Sequence, residues 1–215
     1  MNINPYINTI GITGIIGSGK STVSDLLEKK GAFVIRADKL SASVLDIHYE
    51  KFEIVKNKIS KLLENSGKSK NIHEIFSENG VNRKLLGDAV FSDDKNIKEL
   101  NQIIHPEVKY LFKKQISEID DPDKIIIYDV PLLFETDLYL YMKKNIVVYA
   151  PEKVAILRAS KRMGLTIEQV KKRLKHQISI EKKMSMADYV IDNSGDENKL
   201  IIEVEKLWLF LQEIK

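Results

Sequence analysis

Residues 14–21 read Gly-Ile-Ile-Gly-Ser-Gly-Lys-Ser, a complete G-x-x-x-x-G-K-[ST] pattern, and Thr22 follows it. The flanks decide what this loop joins. Upstream, Ile7-Asn8-Thr9-Ile10-Gly11-Ile12-Thr13 is β-rich and mostly apolar, which suits a buried parallel strand. Downstream, Val23, Leu26 and Leu27 recur at helical spacing, and Gly31 stands where a helix C-terminal cap belongs. A strand, a glycine loop and a helix in this order form a phosphate-binding loop. Gly14, Gly17 and Gly19 leave backbone N–H groups bare to phosphate oxygens. Lys20 reaches the β- and γ-phosphates of a nucleoside triphosphate, and the Ser21 hydroxyl suits a Mg²⁺ ion. The helix that follows turns its partly positive N-terminus to the same phosphates. The alternative is a chance glycine-rich turn, and the matched flanks weigh against it.

Such a start demands more parallel strands, and the chain supplies them. Ala32-Phe33-Val34-Ile35 reads as a strand ending at Arg36-Ala37-Asp38, and Ile125-Ile126-Ile127-Tyr128 as another closed by Asp129. Asn145 to Ala150 and Tyr189 to Ile191 complete five. Between residues 38 and 120 the signal is helical, carried by Phe52, Val55, Ile59, Leu62 and Leu63 and then by Leu85, Leu86, Ala89 and Val90. A simple strand-to-strand crossover needs far less chain. This span is therefore expected to be a helical insertion forming a substrate wall, with a polar connector from Asn65 to Lys70 and a helix broken at His105-Pro106. Pro151 suits a helix start, Thr166-Ile167-Glu168-Gln169 a capping box, and Leu200, Val204, Leu207, Trp208 and Leu211 an amphipathic last helix with Trp208 as a core anchor. The expected fold is α/β: three layers about a parallel five-stranded sheet, with a helical insertion and a helical lid. The expected parts are a nucleotide core (1–37, 121–157, 185–215), a substrate unit (38–120) and a lid (158–184).

Composition excludes several classes. In 215 residues, 43% hydrophobic and 30% charged content describes an ordinary globular protein. The richest apolar run, Ile125 to Phe134, is interrupted by Asp129 and Pro131, so no membrane span is expected. The N-terminus lacks a signal-peptide pattern, and cysteine is absent, in agreement with a reducing cytoplasm. A net charge of +3 with interspersed lysines gives no nucleic-acid footprint. Asp192-Asn193-Ser194-Gly195 matches the D-x-x-G switch of GTPases, but it lies too late and no guanine-reading motif follows.

Small-molecule phosphoryl transfer fits the remaining charges. Asp38 closes the second strand, where a carboxylate can orient an acceptor hydroxyl and take its proton; it would also serve as a helix N-cap. Asp129 can assist Mg²⁺, or simply end a buried strand. Arg158, Arg162 and Arg173 surround Gly164 on a helical hairpin that could clamp phosphates as a lid, or be solvated charges.

Taken in order, these motifs resemble the dephospho-coenzyme A kinase family from Ile10 to about Gly195. The resemblance rests on Ile12 to Thr22, Val34 to Asp38, Asn82-Arg83-Lys84-Leu85 with Val90-Phe91, Ile104-His105-Pro106, Asp129 to Glu135, the lid positions Arg158, Arg162, Arg173, Gln177 and Lys183, and Ala187 to Gly195. It implies transfer of the ATP γ-phosphoryl group to the 3′-hydroxyl of dephospho-coenzyme A, with Mg²⁺. Under it, Asp38, Lys20, Arg158 and Arg162 are catalytic, and Gly14, Gly17, Ser18, Gly19, Lys20, Ser21, Thr22 and Asn193 hold ATP. Thr13, Asp38, Arg83, His105, Leu132, Phe134 and Glu135 meet the acceptor, while Ser21 and Asp129 serve the metal. His105 before Pro106 also reads as a helix-break residue. The expected partners are these small molecules alone, with the chain a monomer. Arg36, Ile15, Met163, Met184 and Met186 depart from the family's usual residues. Another nucleotide kinase, or a non-catalytic nucleotide-binding protein, would use the same loop.

Overall fold

The computed structural model describes residues 4–68, 72–77, 80–90 and 93–214. Phe91 of the resemblance, Ser69 and Lys70 of the polar connector, and the first three residues of the chain lie outside them. The order begins β1 (Thr9–Thr13), α1 (Lys20–Lys29), β2 (Phe33–Arg36), α2 (Ala37–Val44), α3 (Phe52–Asn65) and α4 (Ile72–Ile75). It continues through β3 (Phe76–Ser77), β4 (Gly80–Val81), α5 (Arg83–Val90), α6 (Asp94–Ser117), β5 (Ile126–Asp129) and β6 (Lys144–Tyr149). It closes with α7 (Glu152–Met163), α8 (Ile167–Leu174), α9 (Ile180–Ser185), β7 (Tyr189–Asp192) and α10 (Glu197–Glu213). The chain divides into two compact units, residues 1–36 with 119–215, and residues 37–118.

The first unit is a five-stranded sheet in the order β2-β5-β1-β6-β7, with every neighbouring pair parallel. All five expected strands are present, and α-helices flank them. β1 is central and buried along its whole length, as a strand covered on both faces must be. One core gathers Ile10, Ile12, Ile127, Ile146 and Ile191 of the sheet with Val23 and Leu27 of α1 and Leu200, Val204, Leu207 and Leu211 of α10; Trp208 packs against it. A second joins Ile15, Phe134, Val147, Ala150, Ala155 and Ile180. Burying each such aliphatic side chain contributes roughly 1.5–3 kcal/mol against the entropy of folding. Gly31 follows α1 at φ 106°, a left-handed cap. Thr166 and Gln169 form the reciprocal capping box that opens α8. Pro151 is the N-cap of α7 rather than part of its first turn.

The second unit packs α2 and α3 against α6, burying Leu40, Val44, Val55, Ile59, Leu63, Ile104, Val108 and Phe112. Two expectations fail here. α6 runs unbroken through Pro106. A proline removes one donor from the ladder, yet Ile104, Val108 and Phe112 continue a buried i, i+4, i+8 stripe across it. Tertiary burial outweighs the local cost. The insertion also holds strand: Phe76 pairs with Val81 and Ser77 with Gly80 in an antiparallel bridge too short to show a period of two. Beside Pro106, Glu107 accepts from Tyr49 Oη at 2.7 Å and Lys51 Nζ at 3.2 Å, tying the start of α3 to α6.

Candidate active site

At the carboxyl end of β1 the chain must turn sharply, because α1 begins only seven residues after Thr13. Gly17 and Gly19 take φ of 82° and 91°, which side-chain-bearing residues rarely adopt. Neither position has room either. A Cβ on Gly17 would stand 2.0 Å from the Ala155 carbonyl oxygen, and one on Gly19 2.0 Å from Asn193 Nδ2. Surrounding elements grip the loop at several points. Ile16 N–H donates to Gln177 Oε1 at 3.0 Å, and Asn193 Nδ2 donates to the Ser18 carbonyl at 2.7 Å. Ser18 Oγ is buried and finds no hydrogen-bond partner among the described residues. The result is a glycine-lined backbone cradle at the N-terminus of a ten-residue helix, the setting in which amide N–H groups and the helix dipole together hold an anion.

Lys20 and Ser21 open α1. The Lys20 ammonium pairs with Asp129, the last residue of β5, and Ser24 Oγ donates to the other Asp129 oxygen at 2.8 Å. β1 and β5 are hydrogen-bonded neighbours with Ile12 opposite Asp129, so strand register alone brings this carboxylate beside the loop. Asp129 is 4% exposed, whereas Ser21 and Thr22 face solvent. A serine hydroxyl and a carboxylate are hard oxygen donors suited to Mg²⁺, which takes few protein ligands and completes its shell with water and phosphate.

Arg158 is part-buried in α7, and its guanidinium donates to the carbonyls of Asn193 (2.7 Å) and Gly195 (3.2 Å). It thereby secures the loop after β7 whose Asn193 braces the phosphate cradle. Asp192 shapes the same loop by accepting from Ser194 N and Lys199 Nζ, both at 2.9 Å. The Lys199 bond, with help from Ser194, holds the Asp192 carboxyl down at about 2. Arg162 and Arg173 are exposed in the last turns of α7 and α8.

The stretch after β5 behaves differently from one residue to the next. Leu132 is 40% exposed, but Phe134 is buried in the second core. Thr13 is fully buried and its hydroxyl donates to the Pro131 carbonyl at 3.0 Å. Glu135 accepts from Lys183 Nζ and, at 2.8 Å, from Ile178 N–H. Lys183 is fully buried; desolvation pulls its pKa below the ordinary lysine value while Glu135 pushes it back up. In the second unit Asp38 lies exposed in the first turn of α2, inside the helix rather than at its N-cap. Arg83 Nη2 donates to the Ala42 carbonyl at 3.0 Å, and His105 is exposed on α6.

The departures from the family pattern find local partners. Arg36 donates to Asp25 and Glu28 of α1 at 2.5 and 2.8 Å. Ile15, Met184 and Met186 belong to the second core or pack against it. Nothing in the structure explains Met163, which is 38% exposed. The contacts of Gln177 and Lys183 were beyond sequence reasoning, which placed both only as lid positions. Each joins segments far apart in the chain, and no local pattern announces such a pair.

Comparison with known proteins gives the site its context. The dephospho-CoA kinase (CoaE) family profile matches residues 8–199. A dephospho-CoA kinase of Staphylococcus aureus (strain Mu50) is 39% identical over 204 residues, covering 92% of this chain and 90% of that protein. The crystal structure of TT1252 from Thermus thermophilus superposes with a TM-score of 0.79 at 30% identity, covering 95% of this chain and 97% of that one. Dephospho-CoA kinase from Campylobacter jejuni superposes at 0.63 with 28% identity, over 96% and 98% of the two chains. With most of its length matched both by the family profile and by curated relatives, the chain belongs to the dephospho-CoA kinase family.

Proposed function

We propose that this chain moves the γ-phosphoryl group of ATP to the 3′-hydroxyl of dephospho-coenzyme A, giving coenzyme A and ADP. The observation that carries the reading is the glycine cradle between β1 and α1, with Lys20 and Asp129 beside it, in a chain of this family. In this scheme the backbone of Gly14 and Gly17 to Thr22 wraps the triphosphate, and Lys20 leaves Asp129 for the β- and γ-phosphates. Asn193 and the loop secured by Arg158 border the nucleotide. Ser21 and Asp129 would hold Mg²⁺, which when bound neutralises charge on the phosphate oxygens.

Asp38 orients the acceptor hydroxyl and takes its proton while the γ-phosphoryl–oxygen bond to ADP breaks. The transition state is loose, so orientation contributes alongside basicity. Arg83, His105 and Leu132, together with Thr13, Phe134 and Glu135, are the residues assigned to the acceptor. Residues 37–118 act as the acceptor-binding unit. Residues 158–184 act as a lid, with the exposed Arg162 and Arg173 available to screen phosphate charge and exclude water.

A coupled assay of ADP release across a panel of acceptors tests this. Dephospho-coenzyme A should be strongly preferred. Faster turnover on AMP, CMP or a nucleoside would assign the scaffold to another nucleotide kinase, and steep salt-dependent oligonucleotide binding without phosphoryl transfer would remove the enzyme reading.

A further inference from the structure

The Glu135–Lys183 pair takes no part in the bond changes above, yet it joins a fully buried ammonium to a largely buried carboxylate. Lys183, fully buried at α9, offers its ammonium to Glu135 and, at 3.5 Å, to the Pro131 carbonyl. The same Glu135 carboxylate takes the Ile178 N–H at 2.8 Å. Glu135 thus fastens both ends of the short strap from residue 178 to residue 183. Ile180, at the middle of the strap, is 2% exposed and shares a core with Ile15 of the phosphate loop. Gln177, immediately before the strap, receives the Ile16 N–H of that loop at 3.0 Å, across 161 positions of sequence.

A buried ion pair is weak evidence for stability, since hydrophobic side chains of similar volume often serve as well or better. Such a pair can instead fix one geometry, and here the object fixed is the loop that must receive a triphosphate. We propose that Glu135 and Lys183 are positioning residues for the phosphate loop, holding the 178–183 strap so that Gln177 braces the Ile16 amide. The assignment rests on the phosphoryl-transfer reading, and it makes Glu135 a brace rather than an acceptor contact. It also links the segment leaving α8 to ATP affinity.

The test combines steady-state kinetics with calorimetric titration of ATP into the unmodified chain and its variants. Gln177→Ala should raise KM and Kd for ATP about tenfold, the worth of one lost hydrogen bond. Its kcat and its KM for dephospho-coenzyme A should stay within about twofold. Lys183→Met should weaken ATP in the same way, and the Lys183→Met/Gln177→Ala double variant should be no weaker than the worse single, because both act through one contact. If Lys183→Met does not fold, Glu135→Gln, which keeps the shape and the acceptor for Ile178, takes its place in the cycle.

Unchanged ATP affinity in Gln177→Ala overturns the proposal, and so do additive losses in the double variant. A Glu135→Gln effect confined to the acceptor KM overturns it too and returns Glu135 to the substrate site. If the unaltered chain binds ATP but leaves dephospho-coenzyme A untouched, the function reading fails alone, and the titrations still decide the positioning claim.

Discussion

Asp38 and Lys20 divide the proposed chemistry between acceptor and donor, so they should fail differently. Asp38→Asn keeps the shape and loses the base; kcat should fall by about 10²–10⁴ with ATP affinity nearly intact. Lys20→Ala should weaken ATP binding and turnover together, because its charge serves both ground and transition states. Single-turnover kinetics with separate ATP titration distinguish the two. Near-full turnover in Asp38→Asn would refute the base assignment. At Asp192, bonded to Lys199 and Ser194, the folded-state pKa of about 2 lies below the ordinary 3.8. A depressed carboxyl contributes stability above its unfolded pKa and loses it as pH falls through the folded one. Urea midpoints of Asp192→Asn and the parent should therefore differ at pH 6 and converge as the pH falls from about 4 towards about 2. A difference that persists unchanged at the acid end would contradict this.

The elements show where local rules hold and where they yield. The α8 capping box was legible because its four residues carry the whole signal; Thr166 Oγ1 receives the Gln169 N–H at 3.2 Å, and Gln169 Oε1 the Thr166 N–H at 2.9 Å. Thr166→Ala should cost about 1 kcal/mol and reduce amide protection in α8 roughly fivefold by hydrogen exchange. Protection that does not move would mean the helix is held by packing alone. α6 is the opposite case. The local rule for proline predicted a break that the stripe of Ile104, Val108 and Phe112 prevents. Pro106→Ala should therefore stabilise by about 1–2 kcal/mol, the helical gain less the added freedom of the unfolded chain. A lower urea midpoint would show that Pro106 answers a constraint other than helix continuity. The β3–β4 pair escaped notice because two residues per strand cannot display alternation.

Across the whole molecule, the sheet was readable because its strands are short apolar runs ending in polar residues. Asp129 sits beside the phosphate loop by strand register, so its placement followed from its position in sequence. The braces of the loop did not. Gly17 against Ala155, Ile16 with Gln177 and Ser18 with Asn193 are products of tertiary folding, and only the glycines leave a trace in the sequence. Saturating ATP should raise the thermal midpoint of the nucleotide unit, by the equivalent of about 2.7 kcal/mol at a hundredfold excess over Kd. Gly17→Ala should abolish that shift, since its methyl would collide with the Ala155 carbonyl. The path of the chain has a further consequence. Residues 37–118 leave after β2 and return ahead of β5, and these two strands are hydrogen-bonded neighbours in register from Phe33 opposite Ile126 to Arg36 opposite Asp129. The detour occupies a single crossover, so the triphosphate machinery is complete on either side of it. An exchange of that one excursion for another would keep the grip on the triphosphate, but the newcomer would have to bring its own carboxylate in place of Asp38.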